Sequence, residues 1–250
     1  MIPNPIRRVL SSIAENNVSA LLMGGQACVL YGAAEFSRDT DLAILASPAN
    51  LKRLKAALAD LQASVIAVPE FEPRYLRAGH AIHFRCQDPE ALGMRIDVMT
   101  KMRGVAPFAR LWARRTTMEL VDGLRCEVMA LPDLVAAKKT QRDKDWPMVR
   151  RLIEAHYFQN RENASAAQVR FWFRELRTPE LLLECAMKWP SVHRTETRKR
   201  PLLALARPGG GPKLEAALKA EEEAIRRADA RYWTPLKAEL ERLRHRRLRS

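Results

Sequence analysis

The chain has no run of eighteen apolar residues, so no segment is long enough to cross a bilayer as a helix. Behind Arg7 and Arg8 no extended apolar stretch follows, so no secretory leader is expected. Cysteine is scarce. Cys28, Cys86, Cys126 and Cys185 lie far apart and none sits in a metal-ligand spacing. That excludes a disulfide framework and a zinc site, and it points to small core residues of a reduced, cytoplasmic protein. Acids are few beside bases, 29 against 43, for a formal net charge of +14 and a pI near 10.2. Such a field attracts polyanions. It is uneven: from His193 to Ser250 there are 16 Lys and Arg against 8 Asp and Glu, so over half the excess lies in the last quarter. No internal repeat is present. With 47% apolar residues over 250 positions, one large core or two modest ones can form.

What is present is a pattern of glycines and acids. Ser19-Ala20-Leu21-Leu22-Met23 reads as a short buried strand that ends on Gly24-Gly25. The two glycines let the backbone turn sharply and come close to a ligand. A helix from Gln26 to Tyr31 then opens with its N–H groups available to phosphate. Downstream, Asp39-Thr40-Asp41 opens another apolar run, and Asp97 stands inside Met94-Arg95-Ile96-Asp97-Val98-Met99. Residues two apart in a strand point to the same side, so Asp39 and Asp41 share a face. Carboxylates there suit Mg²⁺, which takes hard oxygen ligands together with substrate phosphates. Two such ions can clamp the attacking and leaving oxygens of a phosphoryl group, with Asp97 completing the site and deprotonating the attacking hydroxyl. Each part has an ordinary reading of its own: a turn, a solvated loop or cap, a buried structural acid.

In this order the residues resemble the DNA polymerase β-like nucleotidyltransferases, and more narrowly the small bacterial AbiEii-type, toxin-like proteins. The match rests on Gly24-Gly25, the Asp39-Thr40-Asp41 pair and the later lone Asp97, with Ala27, Gly32 and Arg38 as further points of likeness. Thirteen residues separate Gly25 from Asp39, the upper end of the family's range, and Thr40 stands where a hydrophobic residue is usual. The resemblance covers about residues 18 to 155. It implies transfer of a nucleoside monophosphate from an NTP, with two Mg²⁺ ions held by Asp39, Asp41 and Asp97. It also implies nucleotide contacts from Gly24, Gly25, Arg38, Lys138, Lys139 and Arg142. Lys138 and Arg142, one helical turn apart, would face the leaving pyrophosphate. Their alternative is a solvated helix end. Asp145 reads as the cap of the following helix.

The expected fold class is α/β (α+β), a mixed β-sheet core with a helical C-terminal region. The expected domains are a nucleotidyltransferase domain over 1–131, a helical region completing the site over 132–190, a linker over 191–212, and a basic C-terminal helix from 213 to 250. Ala63 to Val68 reads as a strand, and Asp122-Gly123 as a two-residue hairpin turn. Phe171, Trp172 and Phe173 read as helical core, with base stacking as the lesser alternative. His80 and His83, three apart, do not share a strand face and read as ordinary polar residues near a cleft or edge. Tyr232, Trp233 and Pro235 suggest a kink in the last helix.

Three acceptor classes stay open. The first is RNA, as in a toxin-like enzyme with a cognate antitoxin; charge favours it. The second is a protein or a small molecule such as an aminoglycoside, whose own positive charge suits a basic chain poorly. The third is a non-catalytic nucleotide-binding module, against which the intact acids stand. No membrane partner is expected.

Overall fold

The computed structural model describes residues 4–34, 37–120 and 123–248. The fold is α/β, with a seven-stranded mixed sheet and a helical C-terminal region. The chain divides into two compact units. The first comprises Met1–Leu30, Ala34–Ala137 and Arg231–Ser250, and the second Tyr31–Ala33 and Lys138–Ala230.

The first unit opens with α1 (Asn4–Glu15), whose Ile6, Val9, Leu10 and Ile13 recur at helical spacing and are buried. Then follow β1 (Ala20–Met23), α2 (Gly24–Leu30), β2 (Asp39–Ile44) and α3 (Pro48–Asp60). Ser47 caps α3 by accepting from the Asn50 N–H, and Pro48 takes the first helical turn. Asn50 is buried and fastens two strand ends. Its side-chain oxygen accepts from the Ser19 N–H, and its amide donates to the Ser19 and Leu45 carbonyls. These bonds satisfy a buried polar group and help to hold β1 against β2 in register.

The sheet continues with β3 (Ser64–Val65), β4 (Ile82–Arg85) and β5 (Arg95–Met99). Between β3 and β4 lies α4 (Pro73–Ala78), which the sequence reading did not foresee. After α5 (Phe108–Ala113) come β6 (Thr116–Glu119) and β7 (Arg125–Val128). Strand order is β3-β4-β5-β2-β1-β7-β6, with β2–β5 and β1–β7 parallel and the other pairs antiparallel. β3 is shorter than the expected strand over 63–68. Its pairing ends as the chain nears Pro69, which has no N–H to give a ladder. The strands flanking the expected hairpin turn do pair, and Asp122 itself lies outside the described residues. α6 (Leu131–Lys138) starts at the end of β7, and buried Asp133 accepts two hydrogen bonds of 2.6 Å from Arg114.

The second unit is built on α7 (Asp145–Asn160), α8 (Ala166–Glu175), α9 (Pro179–Lys188) and α10 (Pro190–Thr197). A capping box joins Ser165 and Gln168 at the start of α8. Trp172 and Phe173 are fully buried, and Trp172 packs edge-on to Tyr157 at 4.9 Å. The stretch 191–212, expected as a linker, is folded. It contains most of α10, a 3-10 helix at Pro201–Leu205 and the start of α11 (Gly211–Arg247), and its Glu196, Arg200, Leu203 and Ala206 are buried. Pro201 and Pro212 sit at helix starts, where a missing N–H is tolerated. α11 runs on through Pro235.

The part of α11 beyond Arg231 belongs to the first unit. There the Glu239 carboxylate lies 2.9 Å from Nε2 of the buried His80, and Leu236 is buried. All four cysteines are free and buried, in keeping with a core role. Among the described residues, no helix is long and apolar enough to cross a membrane.

Candidate active site

Strand alternation divides the centre of the sheet into two faces. Thr40, Leu42, Ile82, Phe84, Ile96 and Val98 are buried on one. Asp39, Asp41, His83, Arg85, Arg95 and Asp97 occupy the other, partly or fully open to solvent. Register then brings the acids together. Asp41 is the direct partner of Asp97 in the parallel β2–β5 pair, and Asp39 is the partner of Arg95. Met23, which precedes the glycines, pairs with Asp41, and His83 pairs with Asp97. One row across the sheet therefore reads Met23, Asp41, Asp97, His83.

Gly24 is required where it stands. Its φ is +68°, in the left-handed region, and a Cβ built there would lie 1.8 Å from Oδ2 of Asp41. The turn after β1 thus runs directly against the Asp41 carboxylate. A side chain at Gly25 would meet Oγ of Ser37 at 2.6 Å. The glycine pair is therefore a close approach of backbone to the acid strand. Arg38 is exposed immediately before β2.

Asp97 is held on three sides. Arg95 donates from Nε to Oδ1 at 2.7 Å and from Nη2 to Oδ2 at 2.9 Å, the fork geometry of a strong ion pair. Nδ1 of His83 is 2.8 Å from the same Oδ1, and 3.0 Å from Nη2 of Arg95. A carboxylate cannot donate and a guanidinium cannot accept, so one nitrogen cannot serve both. The shorter contact assigns a proton to Nδ1, given to Asp97. Burial works to raise the Asp97 carboxyl, but hydrogen bonds from His83 and Arg95 outweigh it and hold the group below the ordinary carboxylate range. Arg95 is raised in turn, first by its bond to Asp97 and also by the charges of Asp97, Asp39 and Asp41, with burial opposing.

Hard carboxylate oxygens on one open face, beside a backbone turn with no side chain, are suitable donors for Mg²⁺. The expected convergence of all three on one ion is not preformed. Among the described residues, no group of three or more His, Cys, Asp or Glu side chains is disposed to hold a metal. At Asp97 the physical reason is plain: Arg95 and His83 already use both of its oxygens.

No protein-family profile and no curated protein matches the chain. Solved structures do. A candidate nucleotidyltransferase from H. pylori is 13% identical over 91% of this chain and 94% of its own, with a TM-score of 0.40. ANT(2")-Ia in complex with adenylyl-2"-tobramycin is 11% identical over 86% of this chain and 95% of its own, at a TM-score of 0.35. A solution structure of ANT(2'')-Ia is 13% identical over 88% of this chain and 92% of its own, also at 0.35. At such scores these likenesses carry no argument about substrate or reaction.

The other expected nucleotide contacts belong to the second unit, where each has a local partner. Nζ of Lys138 lies 3.6 Å from Asp145, and Nε of Arg142 donates to Asp145 at 2.7 Å. Asp145 also accepts from the Thr140 hydroxyl. It opens α7 yet its carboxylate gathers the preceding loop, which differs from the expected cap of its own helix. Lys139 pairs with Glu175, and burial together with Arg177 and Arg200 lowers its pKa.

Reasoning along the sequence missed Arg95, and it read His83 as an ordinary polar residue near a cleft or edge without placing it against Asp97. Arg95 was recoverable, since it stands two residues before Asp97 and so shares its face. His83 was not. Its place opposite Asp97 depends on the β4–β5 register, which no local pattern reports.

Proposed function

We propose that the protein is a Mg²⁺-dependent nucleotidyltransferase that moves a nucleoside monophosphate from an NTP to a hydroxyl acceptor. One observation carries the reading. Asp41 and Asp97 are direct partners on adjacent parallel strands, Asp39 shares their face, and Gly24 leaves the approach to Asp41 free of a side chain. Asp39, Asp41 and Asp97 would hold the metal, which supplies charge neutralisation at the phosphates and a more acidic acceptor hydroxyl. The chain's own residues do the positioning. The turn at Gly24-Gly25 admits the triphosphate beside the acids, Asp97 accepts the acceptor's proton, and Arg38 offers a cation at the entry to β2.

RNA is the favoured acceptor. A net charge of +14 suits a phosphate backbone, and the exposed Arg242, Arg244, Arg246 and Arg247 lie on the part of α11 that shares a compact unit with the acids. The same charge disfavours a cationic aminoglycoside. A toxin-like role with an antitoxin partner rests on the sequence motif alone. The test is incubation with each labelled NTP, Mg²⁺ and either total RNA or lysate protein, with Asp41→Asn as control. Label in RNA, absent with the control, supports the reading. Label in protein alone would replace RNA with a protein acceptor, and no label in either with any NTP would remove both macromolecular acceptors.

A further inference from the structure

Arg95 stands where a cation would. It is the register partner of Asp39, and its guanidinium donates to both oxygens of Asp97. The charges of Asp97, Asp39 and Asp41 all act on it. A divalent ion at Asp97 needs lone pairs that Arg95 now uses. It would also sit within a few ångströms of a full positive charge, where like charges repel strongly even after solvent screening. Arg95 is not locked in place: its side chain is 38% exposed and Asp97 only 14%. A triphosphate offers the guanidinium fork two anionic oxygens on one tetrahedral phosphate, a two-point partner as the carboxylate is.

We propose that Arg95 is an internal stand-in for the metal, closing Asp97 to divalent ions until a triphosphate draws its guanidinium away. This rests on the nucleotidyl-transfer reading and adds an order of events to it. Ion and nucleotide enter together, because the nucleotide vacates the third ligand. His83 keeps Asp97 in position during the exchange, since it donates to Oδ1 from another strand. A purely structural ion pair would behave in the opposite way. Losing it would loosen Asp97 and weaken any metal bound there.

The test is Mn²⁺ titration without nucleotide, read from the free-ion electron paramagnetic resonance signal. It compares the full chain with Arg95→Gln, Arg95→Lys and Asp41→Asn, each checked for folding by circular dichroism. Arg95→Gln should bind Mn²⁺ roughly tenfold or more tightly, because a competing charge is gone. Arg95→Met serves in the same way if the glutamine variant fails to fold. Arg95→Lys keeps the charge and should stay within about threefold of the parent. Binding of a non-hydrolysable NTP in EDTA should weaken in Arg95→Gln. Unchanged or weaker Mn²⁺ affinity in the folded glutamine or methionine variant overturns the stand-in role, as does an equal gain in Arg95→Lys. Failure of the underlying reading looks different: Mn²⁺ binding that Asp41→Asn leaves intact, or none in any variant, removes the metal site itself.

Discussion

Two arrays of acids and cations in this molecule are built from the same residue types to opposite ends. On the sheet face of the first unit, Asp39, Asp41 and Asp97 outnumber Arg95 and lie open enough to meet a ligand. In the second unit, Glu221 accepts from Arg200 at 2.8 and 3.0 Å and forms an ion pair with Nη1 of Arg177 at 2.8 Å, and Glu196 accepts from Arg174 at 2.6 and 2.9 Å. Arg177, Arg200 and Glu196 are buried there, and Arg200 also caps the Phe173 and Leu176 carbonyls. Buried pairs closed by further hydrogen bonds hold helices to one another, and removing one partner strands the other in low dielectric. Half-open acids stay within reach of a ligand in solvent. Burial, more than composition, separates a binding face from a fastening.

The sharpest way to break this contrast is at Asp41. Asp41→Asn should lower nucleotidyl transfer by roughly a thousandfold or more, the scale of losing a metal ligand, with unfolding little changed. Full activity with a verified substrate would put the acids among the fastenings. Arg200→Ala should do the reverse. Denaturant unfolding should show a loss of about 3 kcal/mol, because Glu221 loses two hydrogen bonds and two buried carbonyls lose their donor, while Mn²⁺ affinity is unaffected. A metal-binding defect in that variant would blur the distinction.

Two glycines sharpen it further. Gly24 and Gly209 both have positive φ, but only Gly24 faces a carboxylate; a Cβ at Gly209 meets nothing within 4 Å. Alanine at either should cost about 1 kcal/mol in backbone strain. Only Gly24→Ala should also abolish transfer, by displacing Asp41. Equal activity in the two would mean that the turn has no part in the site.

The smallest effect expected is with pH. Arg174 hydrogen-bonds the charged form of Glu196 and holds that carboxyl below the ordinary range, against the opposing pull of burial. A lowered folded pKa means stability that is fully present above the unfolded value, about 4.3, and lost as pH falls through the folded one. Unfolding free energy should thus hold steady from neutral pH down to about 5 and fall below about 4. Glu196→Gln should flatten the acid limb, and an unaltered limb would remove Glu196 from the acid response.

Local pattern was enough for much of the architecture. The apolar run before the glycines, the glycine pair after Met23 and the acid-bearing runs marked β1, α2, β2 and β5 near where they lie. Alternation put Asp39 and Asp41 on one face, because a strand's period is a property of the backbone alone. It was insufficient where contacts are distant in sequence. α10 and the 3-10 helix in 191–212 read as linker because proline, glycine and arginine dominate that stretch; burial of Glu196 and Arg200 against partners on other helices is what folds it. The same holds at the site. The chain supplies three acids in order, but only strand pairing sets Asp41 beside Asp97 and brings His83 to it, and only packing decides that Arg95 rests on Asp97. Periodicity is local and survives in the sequence. Register, burial and the choice of counter-ion arise between segments far apart along the chain, so they exist only once it has folded.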